Sequence, residues 1–150
     1  MMPPAALGRL LSELAPQAGE RALVVGSGIG YSAALLAAMG LDVVALEHNE
    51  ALAAAAREAG VATELGDLTK GWPKQQPYDL ILVDGAVEEV PATLAAQLAP
   101  GGRLGGAIAE RRITRLVIGH VAGRAVGLRT LGDADVATLP GFERPRAFTF

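Results

Sequence analysis

The stretch ALVVGSGIGYSAALLA, residues 22–37, joins a short apolar run to an alanine- and leucine-rich run through three alternating glycines. Residues 21–25 read as a buried strand, and 31–39 as a helix closed by Gly40. Between them Gly26, Ser27, Gly28 and Gly30 make a loop almost free of side chains. Such a loop can turn sharply and approach a ligand, while the helix behind it offers free N–H donors. That is how a nucleotide-type cofactor site is built. A dinucleotide fingerprint, G-x-G-x-x-G, would need glycine at position 31, where Tyr31 stands. The expected ligand therefore has no pyrophosphate to clamp.

Glu47 closes the next apolar run, 42–46, at 21 positions beyond Gly26. A carboxylate at that strand tip can accept hydrogen bonds from both ribose hydroxyls. The plain alternative is a glycine turn and an exposed glutamate with no ligand. Asn49 is placed to cap a helix running to residue 59, and 61–65 reads as a third strand. A polar stretch, 66–77, precedes 79–83, the most strand-like run of the chain. A helix over 91–98, a turn at Pro100-Gly101-Gly102 and a strand over 103–109 follow. Upstream, Leu7, Leu10, Leu11 and Leu14 lie at helical spacing, predicting a first helix over 3–15. This alternation implies a parallel sheet with right-handed crossovers. After residue 109 the pattern changes. Residues 114–121 and 125–131 read as two antiparallel strands turned at Gly123 along one edge. Residues 140–145 read as irregular, and 147–150 as a last extended piece.

The chain has 150 residues, 51% hydrophobic and 19% charged, which suits one globular domain, 1–150. Aromatics are only 4% and the net charge is -3, so nothing favours nucleic acid as a partner. Arg111, Arg112, Arg115, Arg124 and Arg129 gather late in the chain and read as a solvated face. The absence of cysteine excludes disulfides, thiolate metal sites and a cysteine nucleophile. No membrane span and no metal site are expected, and cytoplasmic is the default location. His120, in an apolar run, reads as structural.

ALVVGSGIGYSAALLA, VVALEHN (43–49), ELGDL (64–68) and PYDLILVDGAVEEVPATLAAQLAPGGRL (77–104) together resemble the protein-L-isoaspartate O-methyltransferase family. The ending LPGFERPRAFTF (139–150) is similar to the tails of bacterial paralogues of the repair enzyme. The resemblance implies an α/β, three-layer Rossmann-like class I methyltransferase fold, mostly parallel with an antiparallel C-terminal edge. It implies S-adenosylmethionine as cofactor. Gly26, Ser27, Gly28 and Gly30, with Tyr31 beside them, would line its methionine half. Glu47 would hold the ribose, next to His48. Gly66, Asp67 and Leu68 would meet the adenine, and Asp84 and Gly85 would lie near the methyl group. The methyl acceptor would be a protein carboxylate or a small molecule, and a homo-oligomer is compatible with the resemblance.

Plainer roles stand beside these. Asp67 reads equally as a turn residue, Asp84 as a loop cap, and His48 as a solvent-edge residue. Glu88 and Glu89 suit the dipole of the following helix better than acid–base work. Trp72 and Tyr78 would either cover the sheet edge or touch a substrate. In the repair enzyme a serine or threonine motif ahead of the glycine loop helps to bind the acceptor. Here 25 residues precede Gly26, and Ser12 carries their only hydroxyl. The expectation is then either a piece of a longer protein or a non-catalytic module that binds S-adenosylmethionine without the repair reaction. A nicotinamide-dependent oxidoreductase is disfavoured by Tyr31.

Overall fold

A computed structural model of the protein describes residues 1–123 and 125–145. Seven strands form one sheet: β1 (Arg21–Val25), β2 (Asp42–Glu47), β3 (Thr63–Leu65), β4 (Tyr78–Val87), β5 (Leu98–Glu110), β6 (Ile113–Ala122) and β7 (Ala125–Asp133). Their order is β3-β2-β1-β4-β5-β6-β7. Pairing is parallel from β3 through β5, and β5–β6 and β6–β7 are antiparallel. The helices are α1 (Pro4–Leu14), α2 (Tyr31–Ala38), α3 (Glu50–Glu58) and the short α4 (Ala92–Ala95). Two 3₁₀ turns, Leu68–Lys70 and Pro73–Gln75, occupy the polar stretch before β4. This is the mostly parallel α/β sheet with an antiparallel C-terminal edge that the sequence led us to expect.

Alternating strand residues feed two cores. Val24, Leu80 and Leu82 face Leu7, Leu10 and Leu14 of α1 and Leu36 of α2, whereas Leu23, Val25, Ile81 and Val83 face Leu68, Leu94 and Phe142. Fully burying each such leucine is worth about 1.5–3 kcal/mol. Helix α1 comes so close to β5 that a Cβ on Gly105 would lie 2.6 Å from Leu14 Cδ1. Arg103 ties the same two elements together. Its guanidinium donates to Leu14 O at 2.6 Å and Ala15 O at 3.0 Å, and pairs with both oxygens of Glu20 at 2.7 and 2.8 Å. That guanidinium holds the Glu20 carboxyl below its ordinary value, and Glu20 raises Arg103 in turn.

Three expectations need correction. The helix over 91–98 is cut to Ala92–Ala95, because Gln97 O accepts the Tyr78 N–H and Leu98 already pairs with Tyr78. The glycine turn at 100–102 lies inside β5: Tyr78 pairs with Leu98 but Leu80 with Arg103, so the intervening residues bulge. His120 is exposed, opposite Arg103 on β6, not structural. Arg115 and Arg129 do sit on a solvated face, paired with Asp133 and Glu13. Arg124 and the extended piece expected over 147–150 lie outside the described residues. Among the described residues no helix is long and apolar enough to cross a membrane.

Candidate functional site at the switch point of the sheet

After β1 the chain builds outward to β2 and β3, then crosses to β4 on the other side of β1. The chain leaves β1 for α2 on one face and β4 for α4 on the other, so the two connections diverge, and in open α/β sheets ligands bind at that crevice. Gly26 follows β1 there, with φ +77°, and Gly28 and Gly30 follow at +58° and +95°. These are left-handed values that glycine adopts without strain. Gly26 N–H and Ser27 N–H both donate to Leu46 O, anchoring the loop to the tip of β2.

Glu47 locks the same loop from the side. Its Oε1 accepts the Gly28 N–H at 2.9 Å, and Oε2 accepts the N–H groups of His48 and Asn49 at 2.8 Å each. His48 Nδ1 stands 3.0 Å from Oε2. Although only 3% exposed, the carboxylate keeps an open lone pair on Oε1, since each oxygen can accept two hydrogen bonds. Asn49 then caps α3 through its side chain, which accepts the Leu52 N–H at 3.1 Å.

An open cleft of about 370 Å³ lies against this tip, lined by His48, Gly66, Asp67, Leu68, Pro140 and Gly141. Gly66 N–H is bound to Glu47 O. Asp67 is exposed and caps the first 3₁₀ turn, with Oδ1 accepting from Thr69 N at 2.9 Å and Thr69 Oγ1 at 2.7 Å. Those two donors hold its carboxyl below the usual range. The turn role engages Oδ1 and leaves Oδ2 without a donor among the described residues. Leu68 is buried under the cleft floor.

The other half of the crevice is different. A Cβ on Gly26 would lie 2.9 Å from Leu139 Cδ1, and one on Gly85 only 2.5 Å from Leu139 Cγ. The Leu139 side chain thus fills the space between the ends of β1 and β4. Ser27, the residue after Gly26, is fully buried, and its Oγ has no hydrogen-bond partner among the described residues. Between Leu82 and Ala86 strand β4 slips register against β5, a bulge that carries Asp84 and Gly85. The two part company. Asp84 turns away from the crevice, its Oδ1 accepting the Met2 N–H at 2.9 Å and its Oδ2 the Ser32 hydroxyl at 2.7 Å, while Gly85 faces Leu139.

His48, Gly66, Asp67 and Leu68 thus line one cleft, Glu47 and Gly28 are bonded to each other beside His48, and Gly26, followed by Ser27, meets Gly85 across Leu139. A Cβ on Gly30 would lie 2.9 Å from Val61 Cγ2, so this glycine also allows close packing. Tyr31 opens α2 with half its surface exposed. Trp72 and Tyr78 belong to the core under β4, with the Tyr78 hydroxyl donating to Trp72 O, and burial pushes the Tyr78 phenol up to about 12. Glu88 and Glu89 engage Arg144 rather than a helix end. Leu139, Pro140 and Gly141 were not expected at the site. A tail residue more than fifty positions past β4 carries no spacing signal toward it.

The sequence matches the family described as protein-L-isoaspartate(D-aspartate) O-methyltransferase over residues 3–118. A protein-L-isoaspartate O-methyltransferase from Methylorubrum populi is 48% identical over 101 residues, which are 63% of this chain and 48% of that protein. A solved protein-L-isoaspartate O-methyltransferase superposes with a TM-score of 0.86 at 26% identity, covering 92% of this chain and 47% of its own. A Plasmodium falciparum protein described in the same terms, in complex with S-adenosyl-L-homocysteine, shares the fold at a TM-score of 0.74 and 22% identity, over 89% of this chain and 71% of that one. The chain spans about half the length of the curated relatives it matches.

Proposed function

The chain belongs to the protein-L-isoaspartate(D-aspartate) O-methyltransferase family, and from that premise we propose that it binds S-adenosylmethionine at the β1–β4 switch point and serves methyl transfer to a carboxylate. The observation that carries this reading is the Glu47 carboxylate latched to the Gly28 N–H beside an open cleft. The residues present fit the group. Oε1 of Glu47 retains capacity for a ribose hydroxyl, Asp67 Oδ2 for an exocyclic amine, and Leu68 gives an apolar floor. Gly26 and Gly85, without side chains, face each other across the space that Leu139 takes in this structure and the amino-acid end would use, and the Ser27 hydroxyl, without a partner among the described residues, is a polar group for that end to meet.

When bound, the cofactor supplies a methyl group on a sulfonium whose leaving group is already activated. The protein's share is then positioning. The bonds Gly26 and Ser27 make to Leu46 O, and Gly28 makes to Glu47, fix the loop before any ligand arrives. A carboxylate acceptor needs no proton removed, so a base is not required of Asp84, whose two oxygens already hold Met2 and Ser32.

Titration calorimetry with S-adenosylmethionine and S-adenosylhomocysteine tests the binding step. Glu47→Ala should weaken both ligands at least about tenfold, by loss of the ribose contact and of the loop latch. No heat from the unaltered chain at millimolar ligand would overturn the reading. Transfer of labelled methyl to an isoaspartyl peptide tests the second step. Binding without transfer would leave the chain a non-catalytic module.

A further inference from the structure

Residues 137–141 form a strap between two buried anchors, Val136 in one core and Phe142 in the other. Ala137, Thr138, Pro140 and Gly141 are exposed, whereas Leu139 is half-buried and dips into the crevice. The strap lies along the end of β4: Ala86 N–H donates to Ala137 O at 2.9 Å, and Leu139 N–H to Ala86 O at 2.8 Å. Gly141, with φ +91°, gives the strap a left-handed turn before the Phe142 anchor. One end thus reaches the nucleoside cleft through Pro140 and Gly141, and its middle fills the space between Gly26 and Gly85 through Leu139.

We propose that Leu139 is an intramolecular occupant of the amino-acid half of the cofactor crevice, so that the strap must lift before an S-adenosyl amino acid can seat fully. This rests on the reading of the crevice as an S-adenosylmethionine site. Two features point to displacement rather than to a permanent wall. Ser27, next in the chain to the Gly26 that Leu139 abuts, buries a hydroxyl with no partner among the described residues, which a polar ligand end can satisfy and a leucine cannot. The strap is held to β4 by two backbone bonds with solvent on its outer side, the kind of segment that opens locally. A ligand that gains the crevice must therefore displace Leu139, and the affinity it shows is reduced by the fraction of time the strap is closed.

The two halves of the crevice separate the ligands that test this. 5′-Deoxy-5′-methylthioadenosine has the nucleoside and the thioether but no amino acid; S-adenosylhomocysteine has both. Leu139→Ala should bind S-adenosylhomocysteine roughly tenfold more tightly than the unaltered chain and methylthioadenosine equally well. On the unaltered protein, nuclear Overhauser contacts from the Leu139 methyls to the α-protons of Gly26 and Gly85 should vanish on saturation with S-adenosylhomocysteine. They should persist with methylthioadenosine. This second measurement needs no variant to fold. Equal or weaker S-adenosylhomocysteine binding by a folded Leu139→Ala, or contacts that survive saturation, overturns the strap while leaving the cofactor reading intact. Silence toward both ligands in both proteins removes the cofactor reading and the strap with it.

Discussion

Ser27 shows at the scale of one side chain what the crevice requires. A hydroxyl buried with no partner among the described residues costs free energy that its removal would return, about 1 kcal/mol. Ser27→Ala should therefore raise the urea midpoint of the ligand-free protein while weakening S-adenosylhomocysteine several-fold. A fall in the midpoint would show that the hydroxyl already has a partner in solution. The opposed signs are what separate a ligand-facing group from a structural one. The glycine loop and Glu47 were legible in the sequence because their geometry is local: a strand, alternating glycines, a helix start, and an acid at a fixed interval on the next strand. What Glu47 does with its oxygens was not legible. Its bonds to Gly28, His48 and Asn49 make it a brace for the loop. Asp84 illustrates the converse. Its partners, Met2 and Ser32, are 82 and 52 residues away, and the residue type alone could not say that its neighbour Gly85, and not Asp84, would face the crevice.

Between elements, the connection that matters most outside the site is the Arg103–Glu20 pair, which binds the end of α1 to β5 and so closes one face of the sheet. The pair is largely buried, with 15% and 21% of the two side chains exposed, and Arg103 also satisfies two carbonyls at the end of α1. Arg103→Ala should cost about 2–3 kcal/mol, through the unpaired carboxylate and the orphaned carbonyls. The pH dependence has a definite sign. Glu20 titrates lower in the folded chain than in the unfolded one, so its stabilisation is complete above the ordinary carboxylate pKa, about 4.3. It is lost as the pH falls through the lowered folded value. Glu20→Gln should flatten the acid limb of the stability profile below about pH 4.3 and leave its shape near neutrality unchanged; an acid limb identical to that of the unaltered chain would refute the assignment. Strand and helix identities were readable from apolar runs and caps, and β1, α2, β2 and α3 fall within one or two residues of expectation. The two irregularities in the β4–β5 ladder were not, since a bulge is a decision about register between strands and leaves no period in either one. One of those bulges parts Asp84 from Gly85 in direction, which is why the site's β4 side was the least readable part of it.

For the molecule as a whole, the sheet order explains why one crevice organises both cores. Its parallel half was implied by the alternation of strands and helices, and the antiparallel edge by the turn at Gly123, yet the strap that crosses back to β4 from beyond β7 had no precedent in the pattern. Val136 and Phe142 place the ends of that strap in opposite cores, so the tail, the switch point and both faces form one connected body. Such a body should unfold as a single cooperative unit, as single domains of this size usually do. Trp72, the sole tryptophan, packs 3.6 Å from the place a Cβ would take on Gly66, beside the cleft that Gly66, Asp67 and Leu68 line. Its fluorescence and the far-ultraviolet dichroism should therefore report one midpoint. Because S-adenosylhomocysteine is expected to bind the folded chain alone, ligand at about 100 times its dissociation constant should add about 2.7 kcal/mol. For a chain of this length that corresponds to a rise in midpoint of roughly 5–10 °C, growing with the logarithm of ligand concentration. If the strap opens only part of the time, the shift at a given concentration should be larger in Leu139→Ala than in the unaltered chain, measured against each protein's own ligand-free midpoint. Midpoints that differ between the two probes would mean that the cores on the two faces of the sheet melt separately, and that the crevice is a seam between them rather than their shared centre.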